Sequence, residues 1–263
     1  MNEYLEFAKD LAKEAGSIMY ENFLTNPAKE WKEDRTPLTF TDTQINRLVI
    51  ERISASFPDH SVLGEEESHN LGGEMTWVCD PVDGTMAFSH GLPISTFSLA
   101  LTRAGKPIVG VVYDPYIKRL FWASKGEGAF LNGDQIHVSQ SESLENTLID
   151  LEAIGESGQP VIKLKPDFLP ALTALGANST RLWSVILPSV LVASGQFSAT
   201  LFVHTKPEDG ASIKIIVEEA GGKVTDLFGR EQRYDQPTNG FLASNGKIHQ
   251  QLLNLIAEYT VDK

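Results

Sequence analysis

Apolar residues in the stretch 2–24 recur at three- and four-residue steps: Leu5, Ala8, Ala12, Ala15, Met19 and Phe23. That is the spacing of one helix face, and Asn26-Pro27 is expected to end the helix. Ile45, Leu48, Val49, Ile53 and Phe57 form a second stripe, which predicts a helix over 42–57 stopped by Pro58-Asp59. Thr41 and Gln44 have capping-box spacing, which puts Asp42 in its first turn. The pattern then changes. SVLGEEE, TWVCDPVDG, STFSLALTRAGKPIVGVVYDP, KRLFWASKGEGAFLNG and QIHVS are short β-rich runs parted by Gly, Pro and Asn. VVYDPYIKRLFWAS reads as a hairpin.

The second half alternates. LIDLEAI reads as a strand, residues near 167–176 as a helix, 188–195 as a helix ending at Gly195, and SATLFVH as a strand. A helix at 209–220 is closed by Gly221-Gly222, and GFLAS precedes a last helix at 246–258. Helices interleaved with two β-rich regions predict a layered α/β or α+β fold. A soft division near residue 140 separates an N-terminal half, 1–140, from a C-terminal half, 141–263, of one compact unit.

The chain has 263 residues, enough for a sizeable core, and its 41% hydrophobic and 22% charged residues are ordinary for a globular protein. A net charge of −13 argues against nucleic acid or an anionic membrane as the main partner, since both require clustered Lys and Arg. It leaves room for an anionic substrate, because bound cations invert the potential of an acidic site. Cys79 is the single cysteine, so no intrachain disulfide forms. No uninterrupted apolar run reaches about 18 residues. A soluble, cytoplasmic protein is the expectation.

The acids carry the chemistry. Asp80 and Asp83 close an apolar run, Glu65, Glu66 and Glu67 follow another, and Asp42 and Asp209 each open a helix. Carboxylates so close repel unless a cation lies between them, and carboxylate oxygens are the ligands of Mg²⁺. Pro81 restricts the backbone between the pair, and Gly84 lets it turn away so that the Gly84 and Thr85 amides face an anion. On spacing alone, other readings stay open. Asp83-Gly84 is also a turn, the glutamates a solvated loop, Asp42 and Asp209 favourable helix-N-terminal charges, and Cys79 a small buried hydrophobe. An acidic globular protein without metal is therefore a third possibility at this point.

WVCDPVDGTMAFSHGLP closely resembles the W-x-x-D-P-[IV]-D-G-T motif of the inositol monophosphatase family of Mg²⁺-dependent phosphatases. LTFTD at 38–42, LGEE at 63–66, the hairpin region at 110–139 and EDGASIKIIVEEAGGKVTD at 208–226 resemble its other segments, in the family's order. The resemblance implies a five-layered αβαβα sandwich of the inositol monophosphatase and fructose-1,6-bisphosphatase type. It implies two or three Mg²⁺ ions per active site, held by Glu65, Asp80, Asp83, Asp209 and the Val82 carbonyl. Asp42, Glu65 and Thr85 would position or deprotonate the attacking water, and the Gly84 and Thr85 amides would hold the phosphate. Asp83, Ser184 and Asp209 would also face the substrate. A homodimer and a small phosphorylated metabolite follow by the same analogy.

This chain departs from the family pattern on the substrate side. Glu208 replaces a usual Trp, and Gly210-Ala211-Ser212 replaces alanines. Trp183-Ser184-Val185-Ile186 stands where a Gly-[ST]-Ala segment is usual. The acid that contacts inositol hydroxyls in inositol-specific members would align near Phe202, and a phenyl ring accepts no hydrogen bond from them. The expectation is an intact metal core with an altered substrate side: a sugar phosphate, histidinol phosphate, nucleotide 3′-phosphate or NADP. The runner-up is a catalytically weakened member serving as a binding or regulatory protein.

Overall fold

The computed structural model describes residues 2–24, 29–31, 37–152 and 161–261. The predicted Asn26-Pro27 stop and the last residues of LIDLEAI lie outside them. The first amphipathic helix, α1, runs Asn2–Leu24. Two short strands, β1 (Lys29–Trp31) and β2 (Pro37–Thr39), pair antiparallel. Helix α2 spans Phe40–Ser56, starting earlier than the spacing predicted. Its capping box is Thr39 with Asp42, not Thr41 with Gln44, because the Asp42 carboxylate reaches back to the Thr39 N–H at 2.9 Å.

A seven-stranded sheet follows: β3 (Ser61–Gly64), β4 (Met75–Asp83), β5 (Thr96–Arg103), β6 (Lys106–Asp114), β7 (Arg119–Ser124), β8 (Ala129–Leu131) and β9 (Asp134–Ile136), in that spatial order. A short helix, α3 (Thr85–Phe88), interrupts it. The predicted hairpin is β6–β7, antiparallel with Tyr113 opposite Leu120. The remaining elements are β10 (Leu148–Glu152), α4 (Phe168–Ala174), β11 (Asn178–Thr180), α5 (Ile186–Ala193), β12 (Ala199–Phe202), α6 (Pro207–Glu219), β13 (Lys223–Thr225), β14 (Phe241–Ser244) and α7 (His249–Tyr259). Their five strands form a second sheet of order β11-β10-β12-β14-β13.

Three apolar interfaces stack these parts. The stripe of α1 and α2 packs on β4–β7 through Leu11, Met19, Ile45, Ile53, Trp77 and Leu99. Helices α5 and α6 lie between the sheets, joining Val112 and Phe121 of the first to Phe241 and Ala243 of the second through Val190, Ile213 and Ile216. Helices α4 and α7 cover the far face of the second sheet through Phe168, Leu172, Leu252 and Ile256. The order is helix, sheet, helix, sheet, helix: the expected five-layered αβαβα sandwich.

Two details fix the chain around the acids. Trp77 on β4 is fully buried, its ring 5.5 Å from Phe7 and 5.8 Å from Phe57, and its indole N–H donates to His60 Nδ1 at 3.1 Å. Helix α6 lies close against the sheet: Ser98 and Ser212 hydroxyls meet at 2.7 Å, and a Cβ on Gly110 would stand 2.5 Å from Ile215 Cγ2. Only glycine permits that approach.

Candidate active site

The register of β3 and β4 brings the first acids together. These strands run parallel with Gly64 opposite Cys79, so the next residues, Glu65 just past β3 and Asp80 within β4, come side by side. The Glu65 N–H donates to the Cys79 carbonyl at 3.2 Å. Strand β4 loses register with β5 between Asp80 and Asp83, which turns both aspartates toward one cavity. Gly84 then takes φ +80°, and a Cβ there would stand 3.1 Å from the Trp183 carbonyl and 3.3 Å from Ser184 Cβ. Asp209 arrives from α6, where Pro207 starts the helix and the Lys206 N–H donates to the Asp209 carboxylate at 2.6 Å.

Glu65, Asp80, Val82, Asp83, Gly84, Thr85, Trp183, Ser184, Phe202 and Asp209, ten of the eleven residues singled out from the sequence, line one cavity of about 510 Å³. Asp42 is buried behind it and joins through a hydrogen bond from the Thr85 hydroxyl at 3.1 Å; that hydroxyl also lies 2.9 Å from the Val82 carbonyl. Phe202 is both buried and cavity-lining, its ring 5.4 Å from Phe241. Cys79 is buried in the core, the hydrophobe role foreseen for it.

The carboxylates differ in what satisfies them. Asp83 accepts from Val185 N–H at 2.8 Å, from the Thr96 hydroxyl at 3.1 Å and from the Ser184 hydroxyl. Burial still raises its pKa, against those hydrogen bonds. Asp80 accepts the Val82 N–H at 3.0 Å, and burial followed by the charges of Glu65, Asp83 and Asp209 pushes its carboxyl well up. Burial followed by Glu208 does the same to Asp209. Burial raises Asp42 to about 6, with Glu65 and Glu66 adding to the effect and the Thr39 hydrogen bonds opposing it. A nearby cation is Lys206, whose ammonium lies 3.6 Å from Glu65 and 3.9 Å from Glu208.

Among the described residues, no three or more His, Cys, Asp or Glu side chains stand close enough about one point to hold an ion as placed. The donor chemistry nonetheless suits a hard divalent cation. Three buried aspartates and Glu65 meet at one cavity, all donors are oxygen, and their mutual repulsion is what a cation relieves.

Sequence reasoning missed Asp150, Glu152 and Arg181, which also line the cavity. Asp150 and Glu152 are two apart on β10 and so project from the same face. Acids at alternate positions of an apolar strand were the available signal.

The model of the inositol monophosphatase family matches residues 1–261. The chain belongs to this family. It is therefore a phosphatase, a phosphoric monoester hydrolase, and magnesium dependence is a general property of the family. A histidinol-phosphatase of Chlorobaculum parvum is 32% identical over 270 residues, covering 100% of both chains. The solved structure of a Thermotoga maritima inositol monophosphatase superposes with TM-score 0.88 at 29% identity over 98% of each chain. An inositol monophosphatase/NADP phosphatase solved with Mg²⁺ and phosphate gives 0.80 at 28% identity, covering 90% of this chain and 88% of that one. The departures from the family pattern have local partners here. Gly210 is required because the Tyr234 ring stands 2.5 Å from where a Cβ would sit, and Glu208 is buried close to Lys206.

Proposed function

We propose that the protein is a Mg²⁺-dependent phosphomonoesterase that hydrolyses a small phosphorylated metabolite with an activated water. The observation that supports this is the meeting of Glu65, Asp80, Asp83 and Asp209, from separate chain segments, beside the Thr85–Asp42 hydrogen bond. These four carboxylates and the Val82 carbonyl are the residues suited to hold two or three Mg²⁺ ions. Bound magnesium supplies positive charge against the phosphoryl oxygens and acidifies water.

The chain's own groups do the rest. The Gly84 and Thr85 amides, freed by the sharp turn at φ +80°, face the phosphate. The Thr85 hydroxyl takes a proton from the attacking water as its own proton passes to Asp42 Oδ1, 3.1 Å away; Glu65 orients that water. Asp42 must be ionised to accept it. Ser184 and Val185 hold Asp83 in one orientation. The protein acts as a homodimer on this reading, which sedimentation velocity tests directly. Among the described residues no helix is long and apolar enough to cross a membrane.

Phosphate release across a panel of sugar phosphates, histidinol phosphate, nucleotide 3′-phosphates and NADP tests the function. The expected result is release from at least one ester with Mg²⁺ and none with a chelator. Folded protein that binds Mg²⁺ but releases no phosphate supports the weakened, regulatory family member that buried Glu208 and nearby Lys206 make worth testing.

A further inference from the structure

Beyond the acids of β3, β4 and α6, Asp150, Glu152, Arg181 and Trp183 form a second polar group on the cavity. Asp150 is 0% exposed. Its Oδ2 accepts the Leu182 N–H at 3.0 Å, and its Oδ1 has no hydrogen-bond partner. Burial raises the Asp150 carboxyl to about 7, against the Leu182 hydrogen bond and the charge of Arg181, whose guanidinium is ion-paired to Glu152 at 2.9 Å. Glu152 is thus compensated, while Asp150 keeps an unspent acceptor.

The same segment shapes the rest of the cavity side. Leu182 N–H is tied to Asp150 and Val185 N–H to Asp83, so the two carboxylates bracket Trp183. Trp183 is held at φ +57°, a conformation costly for a bulky residue, with the residue 45% exposed and the Arg181 guanidinium 4.2 Å from the ring centroid. A strained, half-exposed indole beside an unsatisfied buried carboxylate is an arrangement that gains from a ligand.

We propose that Asp150 Oδ1 receives a protonated nitrogen on the leaving group, so that the preferred substrates are phosphate monoesters of alcohols carrying an amine. The inference rests on the phosphomonoesterase reading of this cavity and specifies its substrate class. A hydroxyl would satisfy the hydrogen bond alone; an ammonium would also favour the ionised carboxylate that burial disfavours. The Trp183 ring offers the carbon skeleton an apolar face and the cation a π surface. Asp150 lines the cavity, which is the side from which the nitrogen approaches it.

The test compares wild type with Asp150→Asn, which keeps the side-chain volume and an acceptor for Leu182. Three matched esters are used with Mg²⁺: 4-(2-aminoethyl)phenyl, 4-(2-hydroxyethyl)phenyl and 4-ethylphenyl phosphate. In wild type the amine ester should exceed the ethyl ester in kcat/KM by about 10- to 100-fold, the worth of one charge-assisted hydrogen bond. In Asp150→Asn that ratio should fall to within about 3-fold of unity, chiefly through KM. An amine ester no better than the hydroxyl ester overturns the proposal, as does a variant that slows all three esters equally. If wild type turns over none of the three, the metabolite panel decides the phosphatase reading, and the inference is decided by calorimetric titration of tyramine and 4-ethylphenol. Binding of tyramine alone, lost in Asp150→Asn, upholds it; equal or absent binding overturns it.

Discussion

Replacing Asp42 with Asn should make the protein more stable and nearly inactive. Asp42 is 1% exposed, and burial raises its pKa from the ordinary 3.8 to about 6. The folded state therefore holds this proton more tightly than the unfolded chain, and ionised Asp42 works against folding. The penalty is absent below pH 3.8, grows as pH climbs toward 6 and is complete above it. A gap of about 2 pH at about 1.4 kcal/mol each corresponds to about 3 kcal/mol. Asparagine removes the charge but cannot accept from both Thr39 and Thr85, which returns about 1 kcal/mol. The net gain at pH 8 is about 1–2 kcal/mol, or a rise in Tm of roughly 3–6 °C for a chain of this size. Urea unfolding of wild type and Asp42→Asn in EDTA, from pH 4 to 8, measures it. The advantage should grow with pH between 4 and 6, while phosphate release with Mg²⁺ falls by about 10²–10⁴-fold. A variant less stable than wild type at pH 8 refutes the electrostatic reasoning; one that keeps full activity refutes the role of Asp42.

Two further outcomes follow from the same geometry. Wild-type kcat/KM should fall below pH about 6 as Asp42 takes up its proton, and a pH–rate profile flat from 5 to 8 would remove Asp42 from the proton path. Gly84→Ala puts a Cβ 3.1 Å from the Trp183 carbonyl at φ +80°, so thermal unfolding should show a loss of about 1–3 kcal/mol with a fall in activity; an unchanged Tm would show that the turn is not constrained there.

Much of this protein could be read from its sequence, for identifiable reasons. Helix α1 and the β6–β7 hairpin follow from apolar spacing, because each buries one continuous face. The start of α2 was misplaced because Thr39 and Asp42 satisfy one another as well as Thr41 and Gln44 would on paper. Strands β11 and β13 are three residues each, too short for a periodic signal, and their pairing is decided by neighbours distant in sequence. The acids of β4 announce themselves through the Pro and Gly that bend the chain between and after them. The signal of Asp150, an acid alternating with Glu152 along an apolar strand, is weaker, since an acid in a strand reads as a solvent-facing position. Its burial follows from where β10 lies, between β11 and β12 in the second sheet.

Calorimetric titration of Mg²⁺ into the metal-free protein and into Asp80→Asn tests most directly whether carboxylates from separate segments form one cation site. Wild type should bind two or three ions and unfold at a higher temperature with Mg²⁺ than without it, whereas Asp80→Asn should lose at least one ion and most of that gain. A folded wild type that takes up no Mg²⁺, or an Asp80→Asn protein that binds it identically, would contradict the account.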